Sequence, residues 1–393
     1  MSDTIVSYLQ HHLDDYLADL RTLVSIDSGS KHKAGVDAVN DWLSARLDAL
    51  GFSMERQRQT LAGDNLLARW SGRGNGHILL IGHSDTVYPV GTAAQRPMTI
   101  DGNNIIGPGT CDMKAGLLTG LYAVAALQYN GFEQFDTLTY LCVSDEEVDP
   151  RYSTDLIRAA ARQADVVLTL EAARENGDIV TVRKGVQWYT VEAFGQAAHA
   201  GVEPEKGRNA VLALAHHLPA LARLNGLADG VTVNVGFIQG GSDYPSMVPD
   251  YAKMRLDVRG YSQADMQAAA QAIWQQLATE VIPGVRVKLT LEESSVFPPL
   301  EQTPSGARLE ALARQIAQDL GFTLRGAATG GASDASIAAA EGPPALDGLG
   351  PVGGLDHSPQ EYINLDSIVP RTALLAHLIE ALGLKYSRDN QPI

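Results

Sequence analysis

Apolar residues recur at intervals of three and four at the start of the chain, at Val6, Leu9, Leu13, Tyr16, Leu17 and Leu20. That spacing predicts helix, with a loop around residues 28–33 and a second amphipathic helix after it, to about Gly51. Further on the pattern changes. HILLIG (77–82), TLTYLCV (137–143) and VVLTL (166–170) are continuous apolar runs, each stopping at polar residues. Runs of this kind fit strands buried on both faces, and helical stretches such as 113–129 separate them. The expectation is an α/β core with a mostly parallel sheet flanked by helices.

From about Gly185 the strands acquire one polar face. In YAKMRLDVRG, Ala252, Met254, Leu256 and Val258 alternate with Tyr251, Lys253, Arg255, Asp257 and Arg259, as in a sheet with one side exposed. The next segment places Met266, Ala270, Ile273 and Leu277 on one helical stripe behind a Ser262 and Asp265 capping pattern. Two helices on an antiparallel sheet make a small α+β module. After about Glu292 the chain returns to an amphipathic helix, a Gly-rich loop and a final helix over 369–384. The small module therefore reads as an insertion: 1–184 and 293–393 build the large domain, and 185–292 the inserted one.

Length and charge narrow the function. The 393 residues carry a formal net charge of -16, which repels phosphate backbones and anionic lipid surfaces, so neither nucleic acid nor membrane is an expected partner. No apolar run in the sequence approaches a membrane span, and the acidic start lacks the basic, apolar design of a signal peptide. Two cysteines, Cys111 and Cys142, have no metal-finger spacing. A reduced cytoplasmic chain is the expectation.

In open α/β sheets ligands bind beyond the carboxyl ends of the strands. Each buried run ends there in metal-ligand chemistry. HILLIG is followed by His83, Ser84 and Asp85, TLTYLCV by Ser144, Asp145, Glu146 and Glu147, and VVLTL by Glu171, while GPGTCDMKAG delivers Asp112 from a Gly-rich loop. Taken singly each has an ordinary role: Asp112 as a helix cap, the glutamate pair as a solvated loop, His83 as a buried histidine. Together at successive strand ends they would repel strongly unless cations neutralise them. Asp85 stands two residues from His83, where it can orient the imidazole.

GHSDTV, GPGTCDMKAG, SDEE, LTLEAA, AHAG and GLDHSPQEY occur in the order and approximate spacing of the M20 metallopeptidase family and cover nearly the whole chain. DTVYPVGTAAQRP and the ending TGGASDASIAAAEGPPALDGLGPVGGLDHSPQEY are most similar to its glutamate carboxypeptidase branch. The resemblance implies a zinc-peptidase-like large domain, an inserted ferredoxin-like lid, and a homodimer formed through the lid. It implies two Zn²⁺ per subunit, with Co²⁺ or Mn²⁺ as substitutes. His83 and Glu171 would bind one ion, Glu147 and His357 the other, with Asp112 bridging. Glu146 becomes the general base acting on a metal-bound water, Asp85 the residue behind His83, and the peptide after Asp112 is expected to be cis. His199 would reach the active site of the partner subunit and stabilise an oxyanion, and Arg259 would hold a substrate carboxylate. Gly330 and Gly331 would let backbone amides approach that carboxylate.

The reaction so implied is hydrolysis of a peptide or N-acyl amide with release of a C-terminal amino acid. An aminopeptidase or an N-acyl-amino-acid deacylase uses the same metal core and is the alternative. A non-catalytic metal-dependent binding protein need not keep Glu146. The sequence departs from the pattern at Ser246, where many relatives have Asn, and in LEESSVFPP, which has no arginine.

Overall fold

The computed structural model describes residues 4–148 and 152–389. They form two compact units, 1–182 with 302–328 and 333–393, and 183–301 with 329–332.

The larger unit is built on a six-stranded sheet. Its strands include β1 (Ser53–Gln57), β2 (Asn65–Ser71), β3 (His77–His83), β4 (Thr137–Val143) and β5 (Val166–Thr169), with the short strand Ala345–Leu346 at one edge. The order is β1-β2-β4-β3-β5 and then 345–346. β4, β3, β5 and the edge strand run parallel, while β1 and β2 join antiparallel at the other end. Ile78, Leu79, Leu80 and Ile81 are all buried, each contributing about 1.5–3 kcal/mol. The antiparallel pair was not read from the sequence, because β1 alternates between exposed and half-buried positions instead of forming an apolar run.

Helix α1 (Ala115–Tyr129) is buried nearly all round, as a helix apolar on every face must be. Its Gly116 backs onto the end of β5, where an added Cβ would lie 1.9 Å from the Leu170 carbonyl oxygen. The absent side chain lets the helix lie close against the strand end that carries Glu171. The N-terminal helices, Thr4–His11, Leu13–Val24 and Lys33–Ala49, follow the expected periodicity, with Leu9, Tyr16 and Leu20 inward.

The C-terminal helix, Ile368–Asp389, corrects one expectation. The stretch Leu365–Tyr386 is long and apolar enough to cross a membrane, although no such span was expected. Of its apolar window 61% is buried inside the protein. Leu374, Leu375, Leu378, Ile379 and Leu382 join the same core as α1, so the apolarity serves packing.

The smaller unit is a four-stranded antiparallel sheet with two helices. Strands β6 (Gly185–Phe194), β7 (Thr232–Gly240), β8 (Tyr251–Gly260) and β9 (Arg286–Leu291) lie in the order β7-β8-β6-β9. Helices α2 (Ala210–Ala222) and α3 (Gln263–Leu277) complete a β-α-β-β-α-β unit of ferredoxin-like type. In β8 the even positions from Ala252 to Val258 are buried and the odd ones are not. In α3 the buried stripe is Met266, Ala269, Ile273 and Leu277; Ala270, which the spacing put inward, is only half-buried. The Ser262 hydroxyl accepts the Asp265 amide at the helix start.

Candidate metal centre

β4, β3 and β5 are parallel neighbours, so their carboxyl ends lie side by side on one edge. His83 closes β3, Glu146 and Glu147 follow β4, and Glu171 follows β5. Adjacent strands lie about 4.8 Å apart, so the topology by itself creates a shared site. A second small sheet supplies the remaining two residues. Asn104–Ile106, shortly before Asp112, pairs with Tyr362–Asn364, which pairs with Gly353–Gly354, and His357 lies in the loop between those two segments.

The side chains meet in a continuous chain of contacts. Glu171 Oε1 lies 3.5 Å from His83 Nε2, which lies 3.0 Å from Asp112 Oδ1. The other Asp112 oxygen is 3.1 Å from His357 Nε2, itself 3.1 Å from Glu147 Oε2. Asp112 thus turns one oxygen to each imidazole. His83, Asp112 and Glu147 bring ligand atoms within 4.8 Å of one another, and so do Asp112, Asp356 and His357. Asp356 was not singled out in the sequence, where it reads as an ordinary loop acid beside His357.

The backbone around these groups is fixed. The Asp112–Met113 peptide is cis, as the resemblance implies, and His357 has φ 61°, in the left-handed region. Glu361 is buried and its carboxylate accepts the amides of Gly109, Cys111 and Asp112 at 2.9, 2.8 and 3.0 Å, and the Tyr88 hydroxyl at 2.6 Å. It holds the loop that presents Asp112. Asp85 does more than orient His83. The imidazole Nδ1 is nearer the Asp85 carbonyl (3.0 Å) than its carboxylate (3.4 Å), and the two carboxylate oxygens accept the amides of Glu146 and Glu147 at 3.2 Å each. The side chain therefore organises the glutamate turn.

Burial dominates the electrostatics. It lifts Glu146 well above its ordinary value, with Glu171, Asp334 and Glu147 adding to it and His83 opposing. Burial also pushes Glu147 up to about 7, against the hydrogen bond from His357, and raises Glu171, helped by the Asp112 charge. Asp112 goes the other way: burial would raise it, but hydrogen bonds from His357 and His83 hold it low. His357 is pushed up to about 11 by Asp112 and Glu147. For His83, burial acts downward and is outweighed by Asp112, Asp85 and Glu171 together. The protein's own charges therefore put protons on two imidazoles amid carboxylates, the positions a cation would take over.

The remaining site residues expected from the sequence belong to the smaller unit. His199 is exposed, and its Nδ1 accepts the Gly201 amide at 3.1 Å. Arg259 forks onto Asp257 (Nε–Oδ1 2.9 Å, Nη2–Oδ2 3.0 Å) and donates from Nη1 to the Gly330 carbonyl at 2.8 Å. Arg183 donates to the Gly331 carbonyl at 3.1 Å. The glycine pair was expected to offer amides to a substrate; here it presents carbonyl oxygens to two arginines. Neither glycine has positive φ.

The sequence profile of Peptidase family M20/M25/M40 matches residues 79–381, a span holding every strand-end ligand candidate. The chain belongs to this family. Carboxypeptidase G2 of Pseudomonas sp. (strain RS-16) is 30% identical to this M20 chain over 369 residues, 93% of this chain and 88% of the relative. An acetylornithine deacetylase of Proteus mirabilis (strain HI4320) is 27% identical, covering 94% and 97%. Among solved structures, aminopeptidase PepT of Bacillus cereus superposes with a TM-score of 0.77 at 22% identity, covering 94% of this chain and 98% of that one. An M20 family metallo-carboxypeptidase from Sulfolobus solfataricus gives 0.72 at 17%, covering 94% and 100%. At those identities the structures speak for the fold alone. The protein is an M20 family metallohydrolase.

The residues present fit a metal. Imidazole nitrogens and carboxylate oxygens converge, a donor set suited to zinc. Glu147 Oε1 is buried with no hydrogen-bond partner, leaving a free acceptor inside the cluster. Asp112 already divides its oxygens between two imidazoles.

Proposed function

We propose that this M20 hydrolase is a dinuclear zinc carboxypeptidase or amidohydrolase that cleaves a peptide or N-acyl amide and releases an amino acid with a free carboxylate. The observation that carries the reading is the Asp112 carboxylate, one oxygen facing His83 and the other His357. His83 and Glu171 would hold one ion, His357 and Glu147 the other, with Asp112 shared. When bound, the two ions would polarise the scissile carbonyl and lower the pKa of a water. Glu146 takes no hydrogen bond through its carboxyl among the described residues, so it is free to accept a proton from water and return it to the departing nitrogen.

In the smaller unit, the Gly201 amide donates to His199 Nδ1. In the neutral ring the proton is then on Nε2, where it can be donated to an oxyanion. We read residues 185–292, which fall within this unit, as the lid and dimerisation domain, with His199 serving the active site of the partner subunit. Arg259 would hold the substrate carboxylate while shared with Asp257. The 30% identical relative named a carboxypeptidase supports this order of preference over a deacylase.

The test is amine release by zinc-loaded protein from matched substrates. Peptides with blocked N-termini and free carboxylates should be hydrolysed, and those with free N-termini and amidated C-termini should not. The reverse preference would make the enzyme an aminopeptidase.

A further inference from the structure

Beside Asp112 and Glu171 the larger unit has a cleft of about 250 Å³, whose lining includes Arg174, Glu175, Gly354 and Asp356. Arg174 is the cation of that cleft. Its Nε is buried and has no hydrogen-bond partner, and its guanidinium forms no ion pair among the described residues. Glu175 and Asp356 line the same cleft, yet neither pairs with it. A buried guanidinium nitrogen left unsatisfied is costly, and native proteins rarely leave one without a reason.

The backbone that carries the arginine is held in a hydrogen-bonded turn. Its amide donates to the Asp178 carbonyl at 3.0 Å and its own carbonyl accepts the Gly177 amide at 2.7 Å. Beneath this turn the buried Arg371 donates to the carbonyls of Gly177 and Gly350, at 3.2 and 3.1 Å. The facing wall is kept low by glycine: a Cβ on Gly353 would lie 2.7 Å from Cys111 Sγ, and one on Gly354 2.5 Å from a Glu175 oxygen. The space is smaller than the roughly 300–1,000 Å³ of drug-sized pockets and suits a single residue or acyl group. The guanidinium's fork of donors, otherwise unpaired, matches the two oxygens of a carboxylate.

We infer that Arg174 is a specificity-determining residue that receives a carboxylate of the substrate in the cleft beside Glu171. The inference rests on the amide-hydrolase reading above and adds to it the residue that selects an anionic substrate. It places this role in the larger unit, apart from Arg259, whose fork is already taken up by Asp257.

The experiment compares wild type, Arg174→Gln and Arg174→Lys, all zinc-loaded, on N-succinyl-glutamate and three analogues. N-butyryl-glutamate, N-succinyl-glutamine and N-succinyl-glutamate α-amide each lack one of its carboxylates. Arg174→Gln should raise KM for the parent by at least about tenfold, the loss of a charge-assisted bond. For one analogue that penalty should vanish, identifying the carboxylate received. Arg174→Lys should fall between, keeping the charge without the fork. Equal penalties on all four compounds, or none, would overturn the assignment. Equilibrium binding of glutarate to the zinc-loaded proteins gives a second readout independent of turnover. If wild type hydrolyses none of the four, the amide-hydrolase reading fails for these substrates and Arg174 is judged on glutarate alone. Binding at least about tenfold weaker in Arg174→Gln supports the role; equal binding, or none by wild type, refutes it.

Discussion

His83, Asp112, Glu147 and Glu171 in the larger unit stand at the ends of buried strands or on a loop pinned by Glu361, with their polar atoms aimed at one another. In the smaller unit His199 lies in a short two-stranded pairing of 198–199 with 247–248, and Arg259 lies on the polar face of the inner strand β8; each already has a local partner, the Gly201 amide or the Asp257 carboxylate. The first cluster is fixed in place but electrostatically incomplete, its glutamates raised by burial. In the second, Arg259 would have to share Asp257 to act, whereas His199 would keep the Gly201 amide and act through its other ring nitrogen. The contrast separates a centre whose geometry the fold imposes from residues whose part depends on what binds.

The sharpest way to break this contrast is to divide the adjacent glutamates. Glu146→Gln should keep its metals and lose about 10²–10⁴-fold in kcat, since an amide cannot take the proton. Glu147→Gln should instead lose metal affinity, because a neutral group replaces an anionic ligand. Metal analysis beside kcat for both variants would reverse the assignment if Glu146→Gln lost metal and Glu147→Gln did not.

Arg259→Ala should raise KM by about tenfold for substrates with a free carboxylate and much less for their amides. Equal effects on both would leave Arg259 as the partner of Asp257 and nothing more.

The smallest effect falls on the scaffold. Glu361→Gln keeps one acceptor but turns an NH₂ toward donors, which should cost about 1–3 kcal/mol of stability, read as a lower denaturation midpoint. An unchanged midpoint would mean that the Asp112 loop holds itself.

Much of the larger site was legible because parallel strands bring their ends to one edge, so His83, Glu146, Glu147 and Glu171 could be read from the residues that close or directly succeed each apolar run. Glu361 could not be read in that way. Its partners Gly109, Cys111 and Asp112 lie about 250 positions earlier, and nothing local to SPQEY announces them. Arg371 and Arg174 pass in the sequence for surface charges until the fold buries one and leaves the other unpaired. Asp334 is similar: it reads as a helix-start acid in GASDAS, yet it is buried with neither carboxyl oxygen partnered. In the smaller unit the alternation along β8 was plain, but the Asp257 fork on Arg259 was not. Both side chains lie on the same face of that strand, a pairing that alternation permits without requiring.

The most direct measurement is a calorimetric zinc titration of the metal-free protein at pH 8, with activity followed in parallel. His357, pushed up to about 11 by Asp112 and Glu147, carries a proton at that pH which a metal must displace. Binding should therefore release at least about one proton per chain, seen as a dependence of the heat on the buffer. Saturation at two ions per chain, with full activity only at the second, is the expected result. Saturation at one ion with full activity would contradict the shared-carboxylate centre.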